Sequence, residues 1–139
     1  MAKAQAVWNR GLQFVATSGS GHSIVIDTAS EGGFDTAPSN TELIAMAQAG
    51  CTGMDVVSIL KKKRVQFDDF QVDVDIEATE EYPRYMKHVH ITYKVWGDDV
   101  SREAVERSVE LSLEKYCIVS HTLSGRAEIT HEVQINPEG

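Results

Sequence analysis

The run "TELIAMAQAGCTGMDVVSIL", Thr41 to Leu60, constrains the fold more than any other part of this chain. It reads as a helix rich in Ala, Gly and Met on every side, and a helix that is apolar all round has to be covered all round. A chain of 139 residues with about six short strands offers too little material to wrap it. The simplest cover is a second copy, arranged as a twofold dimer. Within the run, Cys51 is set between Gly50 and Gly53, which weaken a helix. Either the glycines allow close backbone packing, or they open an approach to a sulfur atom.

The helix has a clear start. Ser39 and Glu42 in "SNTE" form a capping box, in which each side chain satisfies the other's backbone N–H. Its course beyond Ala49 reads two ways. One helix continues to Lys63, or the helix breaks at Gly50 and restarts at Thr52, with Thr52 and Asp55 as a second capping pair. In the second case Cys51 precedes a helix N-terminus, where unpaired N–H groups favour a thiolate. The basic run "KKKR", Lys61 to Arg64, complements the negative end of the helix dipole.

Elsewhere the pattern is strand-like. Ala4 to Trp8 and Leu12 to Ala16 flank a turn at Asn9 to Gly11, and Ser23 to Asp27 is a β-branched run. Thr28 to Pro38 is a loop by composition. Phe70, Val72, Val74 and Ile76 alternate with polar residues, as do Val89, Ile91, Tyr93 and Val95, so each set predicts a half-buried antiparallel strand. Ser101 caps a second helix with Val105, Val109, Leu113 and Tyr116 on one face, and Cys117 ends it. Ala127 to Ile135 is the last strand. The order predicts an α+β fold with mostly antiparallel pairing, in one domain spanning 1–139.

Composition excludes several classes of function. A net charge of −8 argues against a nucleic-acid or anionic-membrane partner. No apolar run is expected to reach the length of a membrane span, and "MAKAQAVWNR" lacks the apolar core of a secretory signal. The expected compartment is the cytoplasm. Two cysteines are too few for a disulfide scaffold, and in a reducing compartment they are packing residues or a redox pair. His88 and His90 share a strand face, but no tight ligand motif joins them to His22 or His131, so no metal site is expected there.

The segments "PSNTELIAMAQAGCTGMDVVSIL" and "VERSVELSLEKYCIVSHTL" resemble the two cysteine motifs of the OsmC/Ohr family, the osmotically inducible and organic hydroperoxide resistance proteins. The likeness covers nearly the whole chain and is stronger to the OsmC-like branch than to the Ohr branch. It implies an interwoven homodimer with antiparallel sheets wrapped around central helices. It also implies an antioxidant oxidoreductase of the oxidative stress response, a thiol-dependent peroxidase that reduces organic hydroperoxides. Cys51 would be the peroxidatic and Cys117 the resolving cysteine, with a small dithiol of lipoyl type as reductant and no metal or organic cofactor. The family pairs its reactive cysteine with an Arg and a Glu. Arg10 in the first hairpin matches the Ohr position for the Arg, whereas the loop before the helix, the OsmC position, has none. At the Glu position this chain carries Thr41, with Glu42 one residue further on. That departure leaves a second expectation: a non-catalytic module of this family that binds a small molecule without an efficient Arg/Glu pair.

Overall fold

A computed structural model describes residues 1–139, which divide into two compact units, Met1–Ile44 and Ala45–Gly139. The N-terminal unit is an antiparallel meander of β1 (Ala4–Arg10), β2 (Gln13–Ser18) and β3 (Ser23–Ile26), in that order across the sheet. Val7 faces Val15, and Phe14 faces Ile26. The expected hairpin exists, but its turn sits later: β1 continues through Arg10, which pairs with Gln13. Gly11 makes the turn at φ +55°, and a Cβ there would lie 2.7 Å from the Gly32 carbonyl oxygen, so only glycine fits. The loop after β3 is organised by Asp27. Its carboxylate accepts from the Thr36 hydroxyl at 2.6 Å and from the N–H groups of Thr28, Phe34 and Thr36. Those bonds, the Thr36 hydroxyl foremost, hold its pKa down to about 2.

The C-terminal unit is built on a second sheet of β4 (Asp69–Ala78), β5 (Met86–Trp96) and β6 (Glu128–Ile135). β4 and β5 are antiparallel, with Phe70 opposite Val95 and Val74 opposite Ile91. β5 and β6 are parallel, with Val89 opposite Ile129 and Val95 opposite Ile135. The predominance of antiparallel pairing holds, and the one parallel pair has a simple origin. The chain leaves β5 through α2 (Arg102–Leu111) and α3 (Ile118–Leu123), and this crossover returns it to the end from which β5 started. Ser101 caps α2 as expected, accepting from the Ala104 N–H.

α1 (Asn40–Lys62) is a single continuous helix, so the reading with a break at Gly50 is wrong. Gln48, Thr52, Val56 and Leu60 form its buried stripe, each four residues from the next. Val56 and Leu60 join Val89, Ile91, Tyr93, Val95, Val105 and Val109 in the core. Burying an aliphatic side chain of this size contributes about 2 kcal/mol. The opposite face of α1 is open in the single chain, with Met46 55% and Met54 75% exposed.

The glycines belong to that open face. At about 100° per residue, Gly50 and Gly53 point away from the stripe that carries Gln48 and Thr52. They line an apolar groove of about 690 Å³ together with Met54, Val57, Phe70 and Val72. A Cβ on Gly50 would meet nothing within 4 Å, and one on Gly53 would make an ordinary 3.4 Å contact with Val72. Close packing within the chain does not explain them.

α1 also departs from the expectation that no run reaches membrane-span length. An 18-residue window of it has a mean hydropathy of 1.5, enough to cross a bilayer by length and composition. Its buried stripe is part polar: Gln48 and Thr52 hydrogen-bond within the C-terminal unit, and Val56 and Leu60 join its core.

Leu60 is wholly buried at the centre of this packing. Leu60→Ala is expected to lower unfolding free energy by about 3 kcal/mol, measured by chemical denaturation.

Candidate functional site

Cys51 and Cys117 are brought together by α1 and by the segment after α2. Helix α2 gives way to a π-helical stretch, Ser112–Tyr116. The wider winding carries the chain off the expected helical face, leaving Tyr116 exposed rather than on the apolar side. Cys117 follows in an extended conformation and also caps α3, its sulfur accepting from the Ser120 N–H at 3.4 Å. This short third helix escapes the periodicity of the sequence because it occupies only six residues.

The Cys51 and Cys117 sulfurs and one Asp55 carboxylate oxygen all lie within 4.8 Å of one another. Cys51 is partly exposed, whereas Cys117 is fully buried. Gln48, three residues before Cys51, donates from Nε2 to the Cys117 sulfur at 3.6 Å and to Ser120 Oγ at 2.8 Å.

A buried chain of hydroxyls supports the same cluster. Thr52 Oγ1 lies 2.6 Å from the Tyr93 hydroxyl and 2.8 Å from Ser112 Oγ, and Ser112 donates to Asp55 Oδ2 at 2.9 Å. Each hydroxyl has one proton, so the direction is set from the acidic end. Ser112 donates to Asp55, Thr52 to Ser112, and Tyr93 to Thr52. Burial pushes the Tyr93 phenol well above its ordinary range, which keeps that proton in place. Thr52 and Asp55, read as a capping pair, instead tie the middle of a continuous helix to β5 and to the π-helical stretch. Gln48, Tyr93, Ser112 and Ser120 were not singled out from the sequence as site residues. Polar residues recurring on the buried stripe of an apolar helix, as Gln48 and Thr52 do, are the signal that could have found the first contact.

The electrostatics of Cys51 oppose ionisation. Partial burial raises its pKa most, followed by its hydrogen bond to Cys117, with the negative charge of Asp55 adding to the effect. The Val119 N–H, in the first turn of α3, acts in the other direction. No cation is among these influences. The helix terminus beside Cys51 is thus that of α3, rather than one made by a break in α1.

Arg10 and Glu42 have partners of their own in the N-terminal unit. The Arg10 guanidinium lies over the Phe34 ring, 4.9 Å from its centre. Glu42 accepts from the Ser39 N–H at 3.0 Å, and its own N–H donates to Ser39 Oγ at 3.2 Å, the expected capping box.

The pair Cys51 and Cys117 can close a disulfide after the sulfurs approach by about 2–3 Å, since the bond itself spans about 2 Å. Because the fold retains the Cys51 proton, alkylation by iodoacetamide at pH 7 is expected to be slower at Cys51 than at free cysteine. The rate should climb about tenfold per unit toward the ordinary thiol value of 9.0, as followed by peptide mass spectrometry. The unfolded chain releases that proton first, so this group's contribution to stability declines as pH rises past 9.0. Thr52→Val leaves the buried Tyr93 hydroxyl without its acceptor and is expected to cost about 2 kcal/mol in denaturant unfolding.

The family described as OsmC-like protein matches residues 33–132, which include both cysteines and every member of the hydroxyl chain. Protein YhfA of Escherichia coli K12 is 41% identical over 133 residues, covering 96% of this chain and 97% of its own. A crystal structure of a protein from Aquifex aeolicus VF5 superposes with a TM-score of 0.82 at 25% identity, covering 99% of this chain and 98% of its own. The organic hydroperoxide resistance protein OhrB of Bacillus subtilis shares the fold, with a TM-score of 0.69 at 18% identity over 96% of this chain and 98% of its own. With the family matched across both cysteine-bearing segments and a relative alike over almost the whole length, the chain belongs to the OsmC-like protein family.

Proposed function

We propose that this protein is a cysteine-based peroxidase that reduces organic hydroperoxides with Cys51 as the attacking and Cys117 as the resolving thiol. The observation that carries the reading is the pairing of a partly exposed sulfur with a fully buried one inside 4.8 Å. The exposed sulfur meets the substrate, and the buried one is reserved for the product of the first step. The Cys51 thiolate attacks the distal peroxide oxygen, the O–O bond breaks, and the departing alkoxide takes up a proton to leave as the alcohol. Cys51 is then a sulfenic acid. The Cys117 sulfur attacks it, water leaves, and a disulfide forms. A small dithiol, of the lipoyl type, returns both thiols by exchange and is itself oxidised to a cyclic disulfide.

Burial holds the Cys51 proton, so the acceleration has to act on the O–O cleavage rather than on the abundance of thiolate. Arg10 is the candidate cation and Glu42 its candidate partner, by likeness to the family. The protein acts as a homodimer in which a second copy covers the Gly50 and Gly53 face. Two exposed methionines and an open apolar groove on that face support this assembly.

The raised Cys51 pKa favours one other reading, an OsmC-like module that binds a small molecule and does no chemistry. Tight binding of such a ligand that survives Cys51→Ser would establish it.

Reduced protein mixed with cumene hydroperoxide is expected to lose thiols at least tenfold faster than free cysteine at the same pH. Cys51→Ser abolishes this reaction, and Arg10→Ala slows it at least tenfold. Oxidation of Cys51 no faster than that of free cysteine overturns the enzymatic reading.

A further inference from the structure

We propose that in the reduced protein Cys51, Asp55 and Cys117 also form a site for one thiophilic divalent cation, such as Zn²⁺ or Cd²⁺, which competes with oxidation for the same two sulfurs. Binding itself does not depend on the peroxidase reading, and only the competition does.

The donor geometry is already close to that of a bound ion. A tetrahedral Zn²⁺ with sulfur ligands at about 2.3 Å and an oxygen at about 2.0 Å separates its donor atoms by about 3.5–3.8 Å. The three donor atoms here lie within 4.8 Å of one another, so rotamer adjustments of about 1 Å suffice. Cys51 and Asp55 are four residues apart and share one face of α1, while Cys117 is fixed opposite them by the π-helical stretch and α3. The chemistry of the set is soft: two thiols and a carboxylate suit Zn²⁺ or Cd²⁺ better than Mg²⁺ or Ca²⁺.

The surroundings support a ligand role. Ser112 donates to Asp55 Oδ2 at 2.9 Å, which orients the carboxylate. Gln48 supplies an independent sign. Its side chain is fully buried against the Cys117 sulfur, yet its Oε1 has no hydrogen-bond partner. A buried amide oxygen without a partner is uncommon, and this one belongs to the side chain that donates to the Cys117 sulfur. The partly exposed Cys51 provides the path of entry. On binding, M²⁺ displaces two thiol protons to solvent, two metal–sulfur bonds form, and no electrons are transferred. With both sulfurs held by the ion, neither is free to attack a peroxide.

The full-length reduced protein, freed of added thiols, is titrated with Cd²⁺ under argon while the ultraviolet cadmium–thiolate absorption is followed. The expected result is one Cd²⁺ per chain. Affinity should fall at least a hundredfold in Cys51→Ser and in Cys117→Ser, and at least tenfold in the isosteric Asp55→Asn. Protein oxidised to the disulfide should show no band. No band in the reduced protein overturns the site, as does equal affinity in wild type and both serine variants. Thiol loss to cumene hydroperoxide is measured in parallel on metal-free protein. Protein that reacts with peroxide but binds no Cd²⁺ overturns the metal site alone. Protein that binds one Cd²⁺ per chain yet is inert to peroxide upholds the metal site and overturns the peroxidase reading.

Discussion

The chain of buried hydroxyls from Tyr93 through Thr52 and Ser112 to Asp55 is the constraint on which the site depends. An apolar helix can rotate or slide on an apolar sheet at little cost, because dispersion and burial are not directional. Hydrogen bonds are directional, and leaving one buried hydroxyl unpaired costs about 1–3 kcal/mol. Thr52 therefore fixes the rotation of α1 against β5 and the π-helical stretch. Cys51 is the residue just before it on α1, and Ser112 begins the stretch that Cys117 follows, so the same bonds set the approach of the two sulfurs. Gln48 adds a second tie one turn earlier, through Ser120 and Cys117.

Much of this protein could be read from its residues. The alternation in Phe70 to Ile76 and in Val89 to Val95 became the paired strands β4 and β5, with the second set wholly buried. The Ser39/Glu42 and Ser101 caps sit where short-range pattern places them, because capping involves only neighbours in sequence. Both cysteine motifs were visible, and they pointed to the family that the chain matches.

What was not legible is mostly long-range. Gly50 suggested a break, but the tertiary bonds of Gln48 and Thr52 on either side of it hold the helix through it. The π-helical stretch adds a residue per turn, which defeats a search at period 3.6 and sent Tyr116 to the wrong face. Thr52 and Asp55 match a local capping pattern and a distant network equally well, and only the fold distinguishes them. The parallel pairing of β5 with β6 follows from a crossover whose helices had first to be placed.

The site that results favours protonated sulfur and lacks a cation among the main influences on Cys51. Family membership supplies the fold, and fold alone does not assign an activity. For the proposed chemistry, the work has to be done by the transfer of one oxygen atom to Cys51 and by the readiness of Cys117 to complete it. For metal capture, the same shortage of positive charge becomes an advantage.

The most direct test of the account is the covalent product of a single turnover. Reduced protein is treated with one equivalent of tert-butyl hydroperoxide per chain, quenched with an alkylating agent, and mapped by peptide mass spectrometry. An intrachain disulfide joining Cys51 to Cys117, with the chain two hydrogens lighter, is the expected product. Recovery of both cysteines as alkylated thiols, or of disulfides between chains only, would contradict it.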